Sequence, residues 1–179
     1  MSKTRRIIFI SMFASISVAL DIFKKMIPFL NLPNGGSINI SLIPLVISSF
    51  ILGKKSGVLT ALIAFFVSTV FGLNSIYISL PQYFFDYILP TLILGFASIF
   101  YKNKKVYEII FGIIFVMVIR TTSLIISGMY FWFESTVTAG SLEAFIFSFT
   151  YNFPYNFLTT LMLLICTPLL VKSIDKYLL

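Results

Sequence analysis

Residues 80–100, LPQYFFDYILPTLILGFASIF, form an apolar stretch that is long enough to cross a lipid bilayer. The stretch carries one carboxylate, Asp86. An ionisable side chain at such a depth costs roughly 2.5–3.5 kcal/mol on insertion scales unless another group pairs with it. Pro90 has no N–H to donate to the Asp86 carbonyl, so we expect the helix to loosen beside the acid and to free that carbonyl. An acid kept in this place predicts either a ligand site or an internal ion pair.

The neighbours of Asp86 leave both interpretations open. Gln82 lies one helical turn before Asp86 on the same face, and Tyr83 and Tyr87 flank it. This patch could hold a polar or cationic small molecule inside a membrane protein. The alternative is an ion pair with a basic residue of another helix, for which Arg120 is the candidate. Arg120 could also donate to a backbone carbonyl or contact the ligand.

Composition places the chain among integral membrane proteins. Of its 179 residues 59% are hydrophobic and 11% are charged, and the mean hydropathy is +1.03, whereas soluble domains contain about 25% charged residues. One cysteine and no histidine exclude an intrachain disulfide, a zinc site with the usual Cys/His ligands and a histidine-based triad. We therefore predict one membrane domain over residues 1–179, without a metal or other cofactor.

Six apolar spans predict an all-α integral membrane protein with six transmembrane helices. They cover about residues 7–27, 40–52, 58–71, 80–100, 106–131 and 144–171. The first follows a basic start, but it is long and five more spans come after it, so we interpret it as a retained helix and not as a signal peptide. The second is short and contains Pro44, which predicts a helix that is tilted, broken or partly sheltered.

The basic residues form short clusters that alternate along the spans, which indicates membrane topology and not nucleic-acid binding. The positive-inside rule then predicts that both termini and the loops after spans two and four are cytoplasmic, and that a ligand enters from outside. Ten of the 13 basic residues follow this pattern, namely Lys3, Arg5, Arg6, Lys54, Lys55, Lys102, Lys104, Lys105, Lys172 and Lys176.

Two further groups of side chains lie toward the outer ends of spans five and six. In span six, Asn152 and Asn156 are one turn apart, with Ser148 and Thr159 near the same stripe. Side-chain amides can recognise the edge of a heterocycle, but they also join membrane helices to one another. Span five ends in YFWF, residues 130–133, which could stack on an aromatic or cationic ring or form an interfacial belt.

Span one carries small side chains at a spacing of four, Ser11, Ser15 and Ala19. Such a ridge lets membrane helices approach closely, either with a partner protein or within the same chain. Asp21 is three and four residues from Lys24 and Lys25, which predicts a local ion pair.

Four motifs in order give the chain a resemblance to a known family. They are LPNGGS (32–37), YISLPQYFFDY (77–87), SGMYFW (127–132) and YNFPYNF (151–157). Over nearly the whole chain they resemble the thiamine-specific substrate-binding (S) component of energy-coupling factor (ECF) transporters. The resemblance implies the S-component fold. It also implies that the loop of Gly35, Gly36 and Ser37 is a lid over the binding site.

The resemblance also implies roles for individual residues. A helix-four carboxylate that binds the aminopyrimidine corresponds to Asp86, a ring-stacking tryptophan to Trp132, and a helix-six asparagine to Asn152. The histidine that some members carry in helix five is replaced by Leu124, which puts the identity of the ligand in doubt. Together with the polar patch of span four, the predicted substrate-binding residues are Gln82, Asp86, Tyr87, Trp132, Tyr151, Asn152 and Tyr155.

The function implied is that of a high-affinity thiamine-binding subunit in the cell membrane, surrounded by lipid. Such a subunit docks on a coupling transmembrane protein and reorients while two partner ATPases hydrolyse ATP. The family docks through small residues of helix one, which match Ser11, Ser15 and Ala19. The alternatives are an S component for another vitamin or for the precursor hydroxymethylpyrimidine, and a structural membrane protein. We predict no enzyme, because no catalytic carboxylate pair, activated nucleophile or metal cluster is evident.

Overall fold

The computed structural model describes residues 1–24, 26–30, 32, 36–74, 76–132 and 137–178. Within these ranges the chain forms six helices of at least 11 residues and no β-sheet, which confirms the predicted all-α fold. The helices are α1 (Lys3–Lys24), α2 (Leu42–Leu52), α3 (Lys54–Val70), α4 (Leu80–Phe100), α5 (Val106–Phe131) and α6 (Leu142–Leu178), with a 3-10 turn at Pro28–Leu30. By length and composition α1, α4, α5 and α6 can each cross a membrane.

The short helix α2 is sheltered by its neighbours and is not broken. Nine of its 11 residues are buried, and it packs against α1, α3, α4 and α6. Pro44 lies in the first turn, where its missing N–H removes no bond within the helix. The expectation of a sheltered helix is therefore confirmed, and the expectation of a break is wrong.

A single residue, Gly53, joins α2 to α3. Its φ of 83° lies in the left-handed region, which glycine adopts without strain. Because one residue suffices for this turn, α3 begins at Lys54 and not near the predicted residue 58. Lys54 and Lys55, which the sequence predicts to lie in a loop, thus belong to the first turn of α3.

Helix α4 changes its winding along its length. It is α-helical over Leu80–Tyr83, π-helical over Phe84–Ile88, α-helical again over Leu89–Leu92, and 3-10 over Ile93–Phe100. In the π-helical turn the Leu89 N–H donates to the Phe84 carbonyl, five residues before it. The predicted loosening beside Asp86 is therefore present, and it has a defined geometry.

The far half of α4, from Ile93 onward, packs tightly on α3 and α5. Gly57 and Gly95 let the α3 and α4 backbones approach so closely that a β-carbon on either glycine would overlap the other helix. A β-carbon on Gly112 of α5 would overlap the Ala97 carbonyl in the same way. Small residues at these crossings bring the helices together, as is usual in membrane bundles.

The buried and exposed faces of α1 are separate. Its buried residues are Ile10, Phe13, Ala14, Ser17 and Val18. Ser11, Ser15 and Ala19 are all exposed, so the alternative that this ridge packs within the chain is wrong. Near the end of α1, Lys24 Nζ lies 2.6 Å from Asp21 Oδ1, which confirms that part of the predicted ion pair. Lys25 lies outside the described residues.

Candidate functional site

A cavity of about 530 Å³ lies between α4, α5 and α6, a volume typical of sites for small molecules. Six of the seven predicted substrate-binding residues line it. The full lining is Ile76, Asp86, Tyr87, Leu124, Gly128, Trp132, Phe147, Tyr151, Asn152 and Tyr155. The helices thus bring together residues that are up to 79 positions apart in the sequence, between Ile76 and Tyr155.

Asp86 lies in the π-helical turn of α4 and uses one of its carboxylate oxygens for protein contacts. Oδ2 accepts a hydrogen bond from Gln82 Nε2 and another from Trp132 Nε1, each 2.6 Å long. Among the described residues Oδ1 has no hydrogen-bond partner. A carboxylate can accept several hydrogen bonds, so Asp86 keeps an acceptor that a ligand can use.

Gln82 is the one predicted binding residue that does not line the cavity. It is fully buried; besides donating to Asp86, it accepts a hydrogen bond from the Ile78 N–H at 3.1 Å. The amide therefore connects the start of α4 to the segment before it and holds the Asp86 carboxylate. Its place in the structure is behind Asp86 and not at the cavity wall.

Arg120 does not pair with Asp86. Its Nη1 donates to the Pro90 carbonyl at 2.7 Å, which is the backbone-donor role that the sequence left open. Among the described residues neither Asp86 nor Arg120 forms an ion pair, and the pair of Lys24 with Asp21 belongs to α1. Asp86 is thus held by neutral donors, and its charge is not neutralised by a neighbouring cation.

The sequence predicts that Pro90 leaves the Asp86 carbonyl without a donor within the helix, but in the structure the affected carbonyl is that of Phe85. In an α-helix Pro90 leaves the carbonyl four residues earlier without a donor, but in a π-helical turn it is the carbonyl five residues earlier. Ser123 Oγ of α5 donates to the Phe85 carbonyl at 2.7 Å. Sequence reasoning did not identify Ser123, although its position three residues after Arg120 places both on one face of α5.

The two asparagines of the buried polar stripe of α6 bond mostly within α6 itself, and Asn152 reaches α5 through one longer contact. Asn152 Nδ2 donates to the Ser148 carbonyl at 3.0 Å and to the Leu124 carbonyl of α5 at 3.4 Å. Its Oδ1 accepts from the Tyr155 hydroxyl at 2.5 Å. Asn156 donates to the Asn152 carbonyl. The Asn152 amide is therefore occupied by protein groups, although its side chain lies at the cavity.

Aromatic faces complete the cavity. Trp132, 37% exposed, is held at the wall by its bond to Asp86, so it is more than an interfacial anchor. Tyr87 packs on Tyr83 with ring centroids 5.0 Å apart, and Tyr151 on Tyr155 at 6.0 Å. Such faces attract a cationic ring. Phe133 lies outside the described residues.

The described part of the predicted lid lies against the cavity wall. Gly36 has a φ of 76°, and a β-carbon there would overlap the Tyr155 ring. Glycine is thus required both by the backbone and by the close approach. Ser37 is half-buried, and Gly35 lies outside the described residues.

Gly128 was not predicted to line the site, and Leu124 was named only as the position where some family members carry a histidine. With Trp132 they follow one another at a spacing of four along α5, which is a single helix face and could have identified them. A β-carbon on Gly128 would overlap Ser148 Oγ, so this glycine brings α5 and α6 together. Among the described residues no three His, Cys, Asp or Glu side chains are grouped as metal ligands.

Known proteins resemble this chain over most of its length. A family model described as "Thiamine transporter protein (Thia_YuaJ)" matches residues 7–179. The thiamine transporter ThiT of Bacillus subtilis (strain 168) is 30% identical over 158 residues, which cover 82% of this chain and 79% of ThiT.

Two solved structures share the fold. ThiT from Listeria monocytogenes superposes with a TM-score of 0.74 at 20% identity, covering 96% of this chain and 97% of that one. The S component of a bacterial ECF transporter superposes with a TM-score of 0.66 at 22% identity, covering 99% of both chains. The predicted S-component fold is therefore confirmed.

Proposed function

The chain belongs to the thiamine transporter protein family, and we propose that it binds thiamine in the cavity around Asp86 and passes it to an ATP-driven import complex. It has the fold of an ECF S component, and as a family member it is a multi-pass membrane transporter protein and not an enzyme. The proposal therefore concerns the binding site, the partners and the orientation in the membrane.

The observation that carries the binding proposal is the unpartnered Oδ1 of Asp86 beside the aromatic wall. Thiamine has an aminopyrimidine, whose amino group can donate to a carboxylate, and a thiazolium with a fixed positive charge. Oδ1 would accept from the amino group in a charge-assisted hydrogen bond. The faces of Trp132, Tyr87 and Tyr151 would attract the cationic ring. The cavity thus offers one group for each end of the ligand.

Fluorescence of the purified protein tests this proposal directly. Trp132 is the one tryptophan of the chain, so a ring bound against it should quench all of the tryptophan emission. We expect saturable quenching by thiamine at submicromolar concentration, and weaker binding of hydroxymethylpyrimidine, which lacks the thiazolium. Riboflavin, pyridoxine and biotin, corrected for their own absorbance, serve as controls.

The same titration distinguishes the alternative ligands. Leu124 lies at the cavity wall, where it offers no hydrogen bond to a ligand. Tighter binding of hydroxymethylpyrimidine or of another vitamin would keep the transporter family and reject thiamine as the ligand. No saturable binding of any of them would reject the site itself.

We propose further that the exposed ridge of Ser11, Ser15 and Ala19 docks on an ECF coupling protein that acts with two ATPases. The exposure of all three side chains supports this role, because small exposed residues let a partner helix approach closely. Ser15→Trp should abolish thiamine uptake by cells while leaving calorimetric thiamine binding within about twofold. Ile165→Trp, at an exposed position on α6, is the control and should transport normally. Loss of uptake in both variants would contradict the docking role.

The proposed orientation places both termini in the cytoplasm of a cell whose membrane lipid surrounds the bundle. It rests on the clustering of basic residues. In a Cys166→Ala background, an impermeant thiol reagent should label Ser135→Cys in intact cells and should not label Ser173→Cys. The reverse labelling pattern would overturn the orientation.

A further inference from the structure

The π-helical turn at Phe84–Ile88 directs Asp86 into the cavity. π-helical turns are rare, and they are frequently found at functional sites. Here the turn is followed by Pro90, which cannot donate to the carbonyl of Phe85 five residues earlier. The turn would therefore contain a backbone acceptor without a donor, unless another helix supplied one.

Helix α5 supplies donors on both sides of Asp86. Ser123 Oγ donates to the Phe85 carbonyl and Arg120 Nη1 to the Pro90 carbonyl, each at 2.7 Å. Neither side chain lines the cavity of about 530 Å³. The two bonds thus hold the backbone one residue before and four residues after Asp86.

We propose that Ser123 is a positioning residue for the ligand: its hydroxyl stabilises the π-helical turn and thereby fixes the direction of the Asp86 carboxylate. The inference rests on the proposed function, since it concerns the same thiamine site. If the turn relaxed to α-helix, residues before and after it would rotate relative to each other by roughly 100°, the angle between successive α-helical residues. The carboxylate would then no longer meet Trp132 and the ligand together.

The chain offers a matched control one turn along the same helix. Ser127 is fully buried like Ser123, but its hydroxyl has no hydrogen-bond partner in the part of the chain that the structure describes. Removing an unpartnered hydroxyl loses no hydrogen bond, whereas removing the Ser123 hydroxyl leaves the Phe85 carbonyl unsatisfied. We expect Ser123→Ala to bind thiamine about tenfold more weakly and Ser127→Ala to stay within about twofold.

A spectroscopic readout separates positioning from general packing. In ligand-free Ser123→Ala the hydrogen bond from the Trp132 indole to Asp86 should weaken. The emission maximum of Trp132 should therefore shift relative to that of the wild-type protein. Ser127→Ala should keep the wild-type maximum. Weakened thiamine binding together with this shift supports the inference. The inference is overturned if Ser123→Ala binds thiamine as tightly as wild type does, or if Ser123→Ala and Ser127→Ala lose the same amount of thiamine affinity.

Pro90 provides a second test that can be read even where binding is lost. Pro90→Ala supplies an N–H that can donate to the Phe85 carbonyl. The hydroxyl of Ser123 should then contribute less to the stability of the turn. The decrease in melting temperature caused by Ser123→Ala should be smaller in the Pro90→Ala background than in wild type. Equal decreases would overturn the inference. If wild type does not bind thiamine, the proposed function fails, while this cycle still decides whether Ser123 supports the turn.

Discussion

The two halves of α4 are both apolar, but one packs tightly on neighbouring helices and the other borders a cavity. Residues 93–100 pack so closely on α3 and α5 that Gly57, Gly95 and Gly112 leave no room for a β-carbon. Residues 80–92 instead contain a π-helical turn and border a cavity of about 530 Å³. The comparison indicates that the tight half fixes the distances between the helices, and that the open half can therefore keep an empty space at a defined geometry.

The two halves also differ in how their polar groups are satisfied. In the tight half the Gly95 carbonyl accepts a hydrogen bond from Ser49 Oγ of α2 at 2.7 Å, and the Ser98 N–H donates to that Oγ atom at 3.0 Å. In the open half Asp86 Oδ1 has no partner among the described residues. Asp86 is half-buried and borders the cavity, so its free oxygen can accept a hydrogen bond from a ligand.

The largest expected effect breaks the tight half. In Gly112→Val the new side chain would overlap the Ala97 carbonyl, and a backbone atom cannot move aside as a side chain can. We expect the free energy of unfolding to fall by at least about 3 kcal/mol, which is at the upper end for overpacked sites. The variant should then be absent or aggregated when the protein is purified in detergent. Gly53→Ala is the control: nothing lies near its β-carbon, so its free energy of unfolding should fall only by the about 1–3 kcal/mol that a non-glycine residue costs at this φ and ψ. Equal stability of the two variants would contradict the contrast between the halves.

The next largest effect is expected for a substitution in the open half that leaves the fold intact. Asp86→Asn removes the negative charge and should weaken thiamine binding by about 1.5–3 kcal/mol, the usual value for a hydrogen bond to a charged group. This corresponds to roughly ten- to a hundredfold in Kd, measured by calorimetry. The melting temperature without ligand should change little. Unchanged affinity with a lower melting temperature would show that Asp86 has a structural role only.

Ser49→Ala should give the opposite result at a smaller magnitude. It leaves the Gly95 carbonyl and the Ser98 N–H without their partner, which should lower the free energy of unfolding by about 1–2 kcal/mol. Thiamine affinity should be unchanged, because Ser49 of α2 contacts only the tight half of α4. A matching loss of affinity in calorimetry would show that the two halves are coupled.

The smallest effect distinguishes two tyrosines at the cavity wall. The Tyr155 hydroxyl donates to Asn152 Oδ1 at 2.5 Å, so Tyr155→Phe should weaken binding by about 1 kcal/mol through the misplaced amide. Tyr151 keeps its ring contact in Tyr151→Phe, and no hydrogen bond of its hydroxyl is present among the described residues. That variant should bind within about twofold of wild type. The reverse order in a fluorescence titration would indicate that Tyr151 contacts the ligand through its hydroxyl.

Sequence reasoning identified most of the residues at the cavity but not the contacts among them. Asp86 and Trp132 were each singled out, but the bond between them joins residues 46 positions apart and depends on how α4 meets α5. Gln82 was expected at the cavity and lies behind Asp86 instead. Arg120 was left with three possible roles, of which the structure shows the bond to the Pro90 carbonyl.

The sequence by itself determined the membrane class, the six helical segments and the disturbance beside Pro90, because apolar length and a missing N–H act on neighbouring residues in any tertiary context. Only the tertiary structure decided which carbonyl loses its donor, which residue replaces that donor, and which face of α1 stays exposed. The π-helical turn moves the unpaired carbonyl from Asp86 to Phe85, and Ser123 reaches it from another helix. Those outcomes depend on the rotation and spacing of packed helices, to which residues distant in the sequence all contribute.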